Sequence, residues 1–222
     1  APYVAEPNDL ALYAKADIKK ELKHRFGEIT AMDRAIGQMR RHLQDKGLAE
    51  DTILWYLSDN GIPADAVYAN PFRGCKGRLY EGGIRVASVL EYPRLINAPQ
   101  ASLMPCVTSD IMPTILDILG IPLPDRPLDG ISLKSHLSGA MSERPEPICF
   151  WSYDWQAELN GEPWIDPALQ IGTTPTGEWR IREFMNFRHP APKTQNFGGT
   201  AAIMHNRYKL IIHPDGQAEL FD

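Results

Sequence analysis

The run Thr52-Ile53-Leu54-Trp55-Tyr56-Leu57 constrains the fold more than any other stretch of this chain. It is continuously apolar, β-branched or aromatic, with no polar alternation. That pattern predicts a strand buried on both faces, as in a parallel or mixed sheet flanked by helices. The run stops abruptly at Ser58-Asp59-Asn60-Gly61, and in open α/β sheets ligand sites lie beyond the carboxyl ends of such strands. Upstream, Asp9 to Lys46 is rich in Ala, Leu, Lys, Glu and Arg, which favour helix. Leu22, Phe26, Ile29, Ile36, Met39 and Leu43 recur at three-, four- and seven-residue steps, so one stripe faces a core. One long amphipathic helix is predicted, weakened in its middle by Gly27 and ended by Gly47. The fold class is therefore α/β.

Ile62 to Arg85 lacks periodicity and is rich in glycine, so it reads as an irregular loop. Val86 to Tyr92 predicts a second strand, closed by Pro93. Ser109 or a neighbour is placed to cap a helix through Pro113–Leu119, stopped by Gly120. The proline-rich Ile121–Pro127 must be an extended crossing. Beyond Pro147 the texture changes: Trp151, Tyr153, Trp155 and Trp164 cluster among turn residues. Ala201–Met204, Tyr208–Ile212 and Ala218–Phe221 then predict three short antiparallel strands. A boundary near residue 146 separates an α/β part, 1–146, from a small C-terminal α+β subdomain with antiparallel strands, 147–222.

With 222 residues, 43% apolar and 23% charged, the chain has the composition of a globular domain. Its net charge of −5 and the isolation of its basic pairs, Lys19-Lys20 and Arg40-Arg41, argue against a nucleic-acid partner. No apolar run approaches the ~20 residues of a membrane-spanning helix. Cys75, Cys106 and Cys149 are far apart and form no CxxC pattern. They read as free or buried thiols, with one disulfide plus a spare thiol as the alternative. The six histidines form no HExxH pattern, and there is no GxSxG elbow, P-loop or dinucleotide fingerprint. His24 and His42 are expected to be exposed on the helix.

Asp59 and Asn60 place a carboxylate and an amide carbonyl side by side at a strand tip. Hard cations such as Ca²⁺ and Mg²⁺ take oxygen ligands of this kind, but Asp-Asn-Gly is also a common turn. Two ligands fall short of the roughly six such ions need. Lys76, in Arg73-Gly74-Cys75-Lys76-Gly77, is a flexible point charge on a loop open to an anion, or simply a solvated loop lysine. Glu81 and Arg85 form a candidate structural pair. Nothing around Cys75 activates it as a nucleophile. Arg182, Arg188 and His189 are candidates for lining an anionic cleft, because binding residues favour loops.

The motifs occur in a fixed order. Asp33-Arg34-Ala35-Ile36-Gly37 precedes Gly47-Leu48-Ala49-Glu50-Asp51-Thr52-Ile53 and Ser58-Asp59-Asn60-Gly61. Gly74-Cys75-Lys76-Gly77, Glu81-Gly82-Gly83-Ile84-Arg85-Val86 and Pro113-Thr114-Ile115-Leu116-Asp117 follow. Asp129-Gly130-Ile131-Ser132-Leu133 and Arg207-Tyr208-Lys209-Leu210 complete the series. The set resembles the type I sulfatases of the alkaline-phosphatase-like superfamily over nearly the whole chain except about 151–199. The resemblance implies part of that superfamily's mixed sheet flanked by helices. It also implies that Asp59 and Asn60 ligate Ca²⁺ (or Mg²⁺), and that Lys76 contacts the sulfate as a catalytic and substrate-binding residue. The implied reaction is hydrolysis of a sulfate ester, or sulfamate, on a sulfated small molecule or carbohydrate.

The family's nucleophile, a formylglycine made within a Cys/Ser-x-Pro/Ala-x-Arg motif, has no counterpart in this sequence. It is expected in an N-terminal part of the protein, which would be a partner of this chain. Ala87 departs from the usual proline and Cys75 from the common glycine, and neither is a proposed ligand. Both chain ends read as the interior of a polypeptide, and a fragment lacking the nucleophile and half the metal shell is expected to be inactive by itself. Family habit is periplasmic, secreted or lysosomal. Two alternatives stand: a phosphatase or phosphonate monoester hydrolase of the same superfamily, and a non-catalytic binding fragment.

Overall fold

The computed structural model describes residues 4–152 and 198–222 and divides into two units, Ala1–Ser142 and Glu143–Asp222. The sequence-predicted aromatic positions Tyr153, Trp155 and Trp164, and the candidate cleft residues Arg182, Arg188 and His189, lie outside the described residues.

The first unit begins with two helices where one was expected, α1 (Pro7–Ala11) and α2 (Lys20–Asp45). The chain leaves helix between them, and Lys23 Nζ caps that connection by donating to the Ala14 carbonyl at 2.9 Å. Local propensity alone did not mark this break, since Leu12, Ala14, Lys15, Ala16 and Lys19 within it are good helix formers. α1 folds back on α2 at Gly27: a Cβ there would come within 2.5 Å of the Cβ of Ala5, just ahead of α1, and 3.5 Å from the main chain of Asp9 and Leu10. Gly27 is thus a close-approach site inside an unbroken helix, not a weak point. The α1–α2 contact is clasped by Asp9, buried at 2% exposure, whose two oxygens accept from Arg34 Nη1 at 2.6 Å and Nη2 at 2.8 Å. The hydrogen-bonded Arg34 guanidinium holds the Asp9 carboxyl below the usual carboxylate range. His24 is half-buried and accepts from the Ala5 amide through Nδ1 at 3.3 Å, whereas His42 is exposed as expected. The Gly47 backbone is left-handed, with φ 66°, and ends the run that α2 begins.

After a 3₁₀ turn at Ala49–Asp51, β1 (Leu54–Leu57) pairs antiparallel with β2 (Ser88–Glu91), Leu54 opposite Glu91 and Leu57 opposite Ser88. β1 is half-buried at all four positions, not buried on both faces. Among the described residues it has one strand neighbour, so its other edge carries no strand. Arg40 on α2 holds β2 through both Glu91 oxygens, at 2.5 and 3.1 Å. The segment between the strands is more ordered than a featureless loop: it holds a 3₁₀ stretch, Ala64–Ala69, and a single helical turn, α3 (Glu81–Ile84).

A second cluster joins α4 (Ile111–Leu119) to α5 (Lys134–Leu137). The fully buried Asp110 accepts from the amides of Val107 (2.9 Å) and Ile131 (2.8 Å). Thr114 Oγ1, also fully buried, donates to the Asp110 carbonyl and accepts from the Leu133 amide. Gly130 lies against the Ser109 carbonyl, 2.1 Å from where its Cβ would stand. The two late motifs of the series, Pro113–Asp117 and Asp129–Leu133, are thus halves of one latch.

The second unit is a four-stranded antiparallel sheet in the order β3 (Ile148–Trp151), β4 (Ala201–His205), β5 (Tyr208–Ile212), β6 (Ala218–Phe221). Three of these strands were expected. The fourth, Ile148-Cys149-Phe150-Trp151, is too short and too uniformly apolar to show a period of two. One face carries Ile148, Ala202 and Ile211, all buried. The other carries Trp151, Ile203, Ile212 and Leu220, all exposed. Asn206, with φ 48°, turns the β4–β5 hairpin, and its amide clasps both the N–H and the carbonyl of Arg144. None of the three cysteines takes part in a disulfide among the described residues.

Candidate active site

Asp59 and Asn60 follow directly on β1, Asp59 exposed and Asn60 half-buried. Ser58 Oγ donates to the Asn60 carbonyl at 3.0 Å, and Asn60 Nδ2 donates to the Gly61 carbonyl at 3.0 Å. With its nitrogen tied to the main chain, the Asn60 amide keeps its oxygen as the available end. The donor pair offered by Asp59 and Asn60 is thus one carboxylate and one amide oxygen, the hard-oxygen chemistry that Ca²⁺ or Mg²⁺ takes. Among the described residues no group of three or more His, Cys, Asp or Glu side chains is placed to hold a metal. The residues present therefore fit such an ion as part of a shell that needs more oxygens than these two.

Three glycine-containing segments meet just past this tip through their main chains. The amides of Gly61 and Ile62 donate to the carbonyls of Gly83 (2.8 Å) and Gly82 (3.1 Å). The Lys76 amide donates to the Ile62 carbonyl at 2.7 Å, and the Gly82 amide to the Arg73 carbonyl at 2.8 Å. The Asp-Asn tip, the lysine turn and the Gly-Gly turn are thereby one hydrogen-bonded cluster, although residues 61 and 83 are far apart in sequence. Such contact admits no side chain: a Cβ on Gly61 would be 2.1 Å from the Gly82 carbonyl oxygen, and one on Gly83 would be 2.0 Å from that of Arg78. The glycines were legible as loop residues, but their partners were not. The Gly82-Gly83 doublet, opening a helical turn where glycine is a poor choice, was the only hint.

Side chains brace the cluster from outside. Arg73 lies 3.9 Å over the Tyr80 ring, and Arg85 lies 4.7 Å over Phe72. The expected Glu81–Arg85 pair is present at 3.8 Å, with Arg85 more than half exposed. Lys76 itself is exposed, as are Gly77 and Arg78. Chemically, the cluster carries oxygen donors on a strand tip and an exposed ammonium on a turn whose amide is hydrogen-bonded to the segment following that tip.

The architecture has counterparts among solved structures. Ps i-CgsB, crystallised with k-i-k-neocarrahexaose, aligns over 100% of this chain and 40% of its own, with a TM-score of 0.71 at 22% identity. The phosphonate monoester hydrolase of Agrobacterium radiobacter aligns over 91% of this chain and 34% of its own, with a TM-score of 0.58 at 20% identity. The fold is accordingly α/β of the alkaline-phosphatase-like class, with a small C-terminal antiparallel sheet. Within that class the chain belongs to the sulfatase family, whose model matches residues 5–121, more than half of its length. It is 33% identical to human steryl-sulfatase over 166 residues, 69% of this chain and 28% of that enzyme. It is 30% identical to a sulfatase of Formosa agariphila over 173 residues, 69% of this chain and 31% of that protein. The chain therefore spans less than a third of the length of these curated relatives.

Proposed function

We propose that this chain supplies the Asp59–Asn60 half of a divalent-metal site and the sulfate-contacting Lys76 to a sulfatase that hydrolyses sulfate esters of small molecules or carbohydrates. The observation that carries this is the main-chain cluster joining the Asp59–Asn60 tip to the Lys76 turn, in a member of the sulfatase family. Asp59 and Asn60 would hold Ca²⁺ or Mg²⁺ through their oxygens. When bound, such an ion supplies Lewis-acid polarisation and a template for the sulfate. Lys76 would set its ammonium against the sulfuryl oxygens, offsetting their charge as the ester bond to the leaving oxygen breaks. The nucleophile, a formylglycine, would come from a part of the full-length protein outside this sequence, together with the remaining metal ligands.

Turnover of an aryl sulfate by the full-length protein tests this. Lys76→Ala should lower kcat about 10²–10³-fold, the usual loss for one group aimed at transition-state charge. Asp59→Asn with Asn60→Ala should lower bound calcium measured by elemental analysis. Hydrolysis of aryl phosphate or phosphonate in preference to aryl sulfate would replace the sulfatase with a relative of the phosphonate monoester hydrolase fold neighbour.

A further inference from the structure

The charges of the site segment are nearly all accounted for. Asp65 is held by Arg25 at 3.2 Å, Glu81 faces Arg85, and Arg73 stacks on Tyr80. Among the described residues that leaves Asp59, Lys76 and Arg78 as the charges between Ser58 and Arg85 with no ion pair, ring contact or side-chain hydrogen bond. Asp59 and Lys76 already have a proposed use; Arg78 does not.

Arg78 stands on the same tight turn as Lys76. Its amide donates to the Cys75 carbonyl at 2.9 Å, and Gly77 between the two cations has φ 86°. Lys76 and Arg78 are the second and fourth residues of a four-residue turn whose third position requires a left-handed backbone. The turn is pinned at both ends, by the Lys76 amide on Ile62 and by the Arg78 carbonyl against Gly83. Both cations are exposed, so two positively charged side chains without a partner among the described residues rise from positions two residues apart on one main-chain-held turn.

We propose that Arg78 binds a second anionic group of the substrate, making this site selective for sulfated saccharides that carry another sulfate or a carboxylate near the scissile one. The inference rests on the role proposed for Lys76. A guanidinium suits the task, because its planar fork matches the oxygens of sulfate or carboxylate in pairs. Lys76 then takes the reacting sulfate and Arg78 its neighbour. Arg78 is a specificity-determining residue and touches no reacting atom.

The test uses the full-length protein, with a disaccharide carrying two sulfates and its monosulfated counterpart as probes. Arg78→Gln should raise KM for the disulfated sugar about tenfold, the size of one charged hydrogen-bonding contact. It should leave kcat unchanged and the monosulfated sugar within about twofold, and Arg78→Lys should recover part of the loss. An equal loss on both sugars, the mark of a scaffold or inter-segment contact, overturns the assignment, as does no loss on either. Calorimetric binding of the same two sugars separates the two proposals. If neither sugar is hydrolysed but Arg78→Gln weakens only the disulfated one, the hydrolytic reading fails and Arg78 stands. If Arg78→Gln binds both like the wild type, the Arg78 assignment fails whatever the turnover.

Discussion

One added methyl group distinguishes two reasons for glycine in this protein. At Gly83 the methyl would sit 2.0 Å from one main-chain oxygen and 2.5 Å from another, and neither can rotate away as a side-chain end would. Gly83→Ala is therefore expected to cost at least about 1–3 kcal/mol, the usual range for overpacking, read as a lowered urea midpoint with an unchanged slope. At Gly77 nothing lies within 4 Å, and only the φ of 86° resists a side chain. Gly77→Ala should cost about 1–2 kcal/mol, the penalty of a left-handed backbone, and that cost should vanish in Gly77→D-Ala made by semisynthesis. A Gly83→Ala variant as stable as the parent would mean that the three segments do not meet as described.

At the scale of elements, several of the ordered motifs hold secondary structure together. Arg34, in the first motif, clasps α1 to α2 through Asp9. Because the folded-state pKa of Asp9 is depressed, its contribution to stability is fully present above the ordinary aspartate pKa. It is lost as pH falls through the lower folded value. Asp9→Asn should therefore lower the urea midpoint at pH 7, and the difference from the parent should shrink below about pH 4. A difference independent of pH would show that the clasp does not titrate. Thr114 binds α4 to the segment before α5, and Thr114→Val would leave the buried Leu133 amide without its acceptor. A loss of about 1–3 kcal/mol is expected, measured by thermal or urea unfolding. Element boundaries were legible where a residue enforces them, as at Gly47 and Gly120, both left-handed. The break between α1 and α2 was not, because it depends on what α1 packs against and most of its residues are themselves helix formers.

For the molecule as a whole, the site was legible as pieces and not as an assembly. Asp59-Asn60 showed as a strand tip and Lys76 as a glycine-flanked turn. What joins them is main chain on main chain, which leaves no side-chain signature beyond the glycines that permit it. The sheet was legible by its class and not by its partners: β1 looked like an interior strand, yet pairs with β2 alone among the described residues. With no formylglycine motif in its sequence and two proposed metal ligands, the isolated chain should release no sulfate from an aryl sulfate. It should bind Ca²⁺ more weakly than micromolar by calorimetry, because two oxygens cover about a third of a calcium shell. Turnover by the sequence-verified chain, or sub-micromolar calcium affinity, would falsify the half-site description.

The glycine cluster also has a consequence for how this region trades protons with water. Residues 58–85 contain little regular structure, and a stretch of that kind ordinarily exchanges its amide hydrogens freely. Here the amides of Gly61, Ile62, Lys76 and Gly82 are each engaged with carbonyls of another segment. They should be retarded together in deuterium uptake and released together, as one cooperative unit, while the unpartnered amide of Gly77 between them exchanges early. The site would then behave dynamically like a small sheet, without containing a strand.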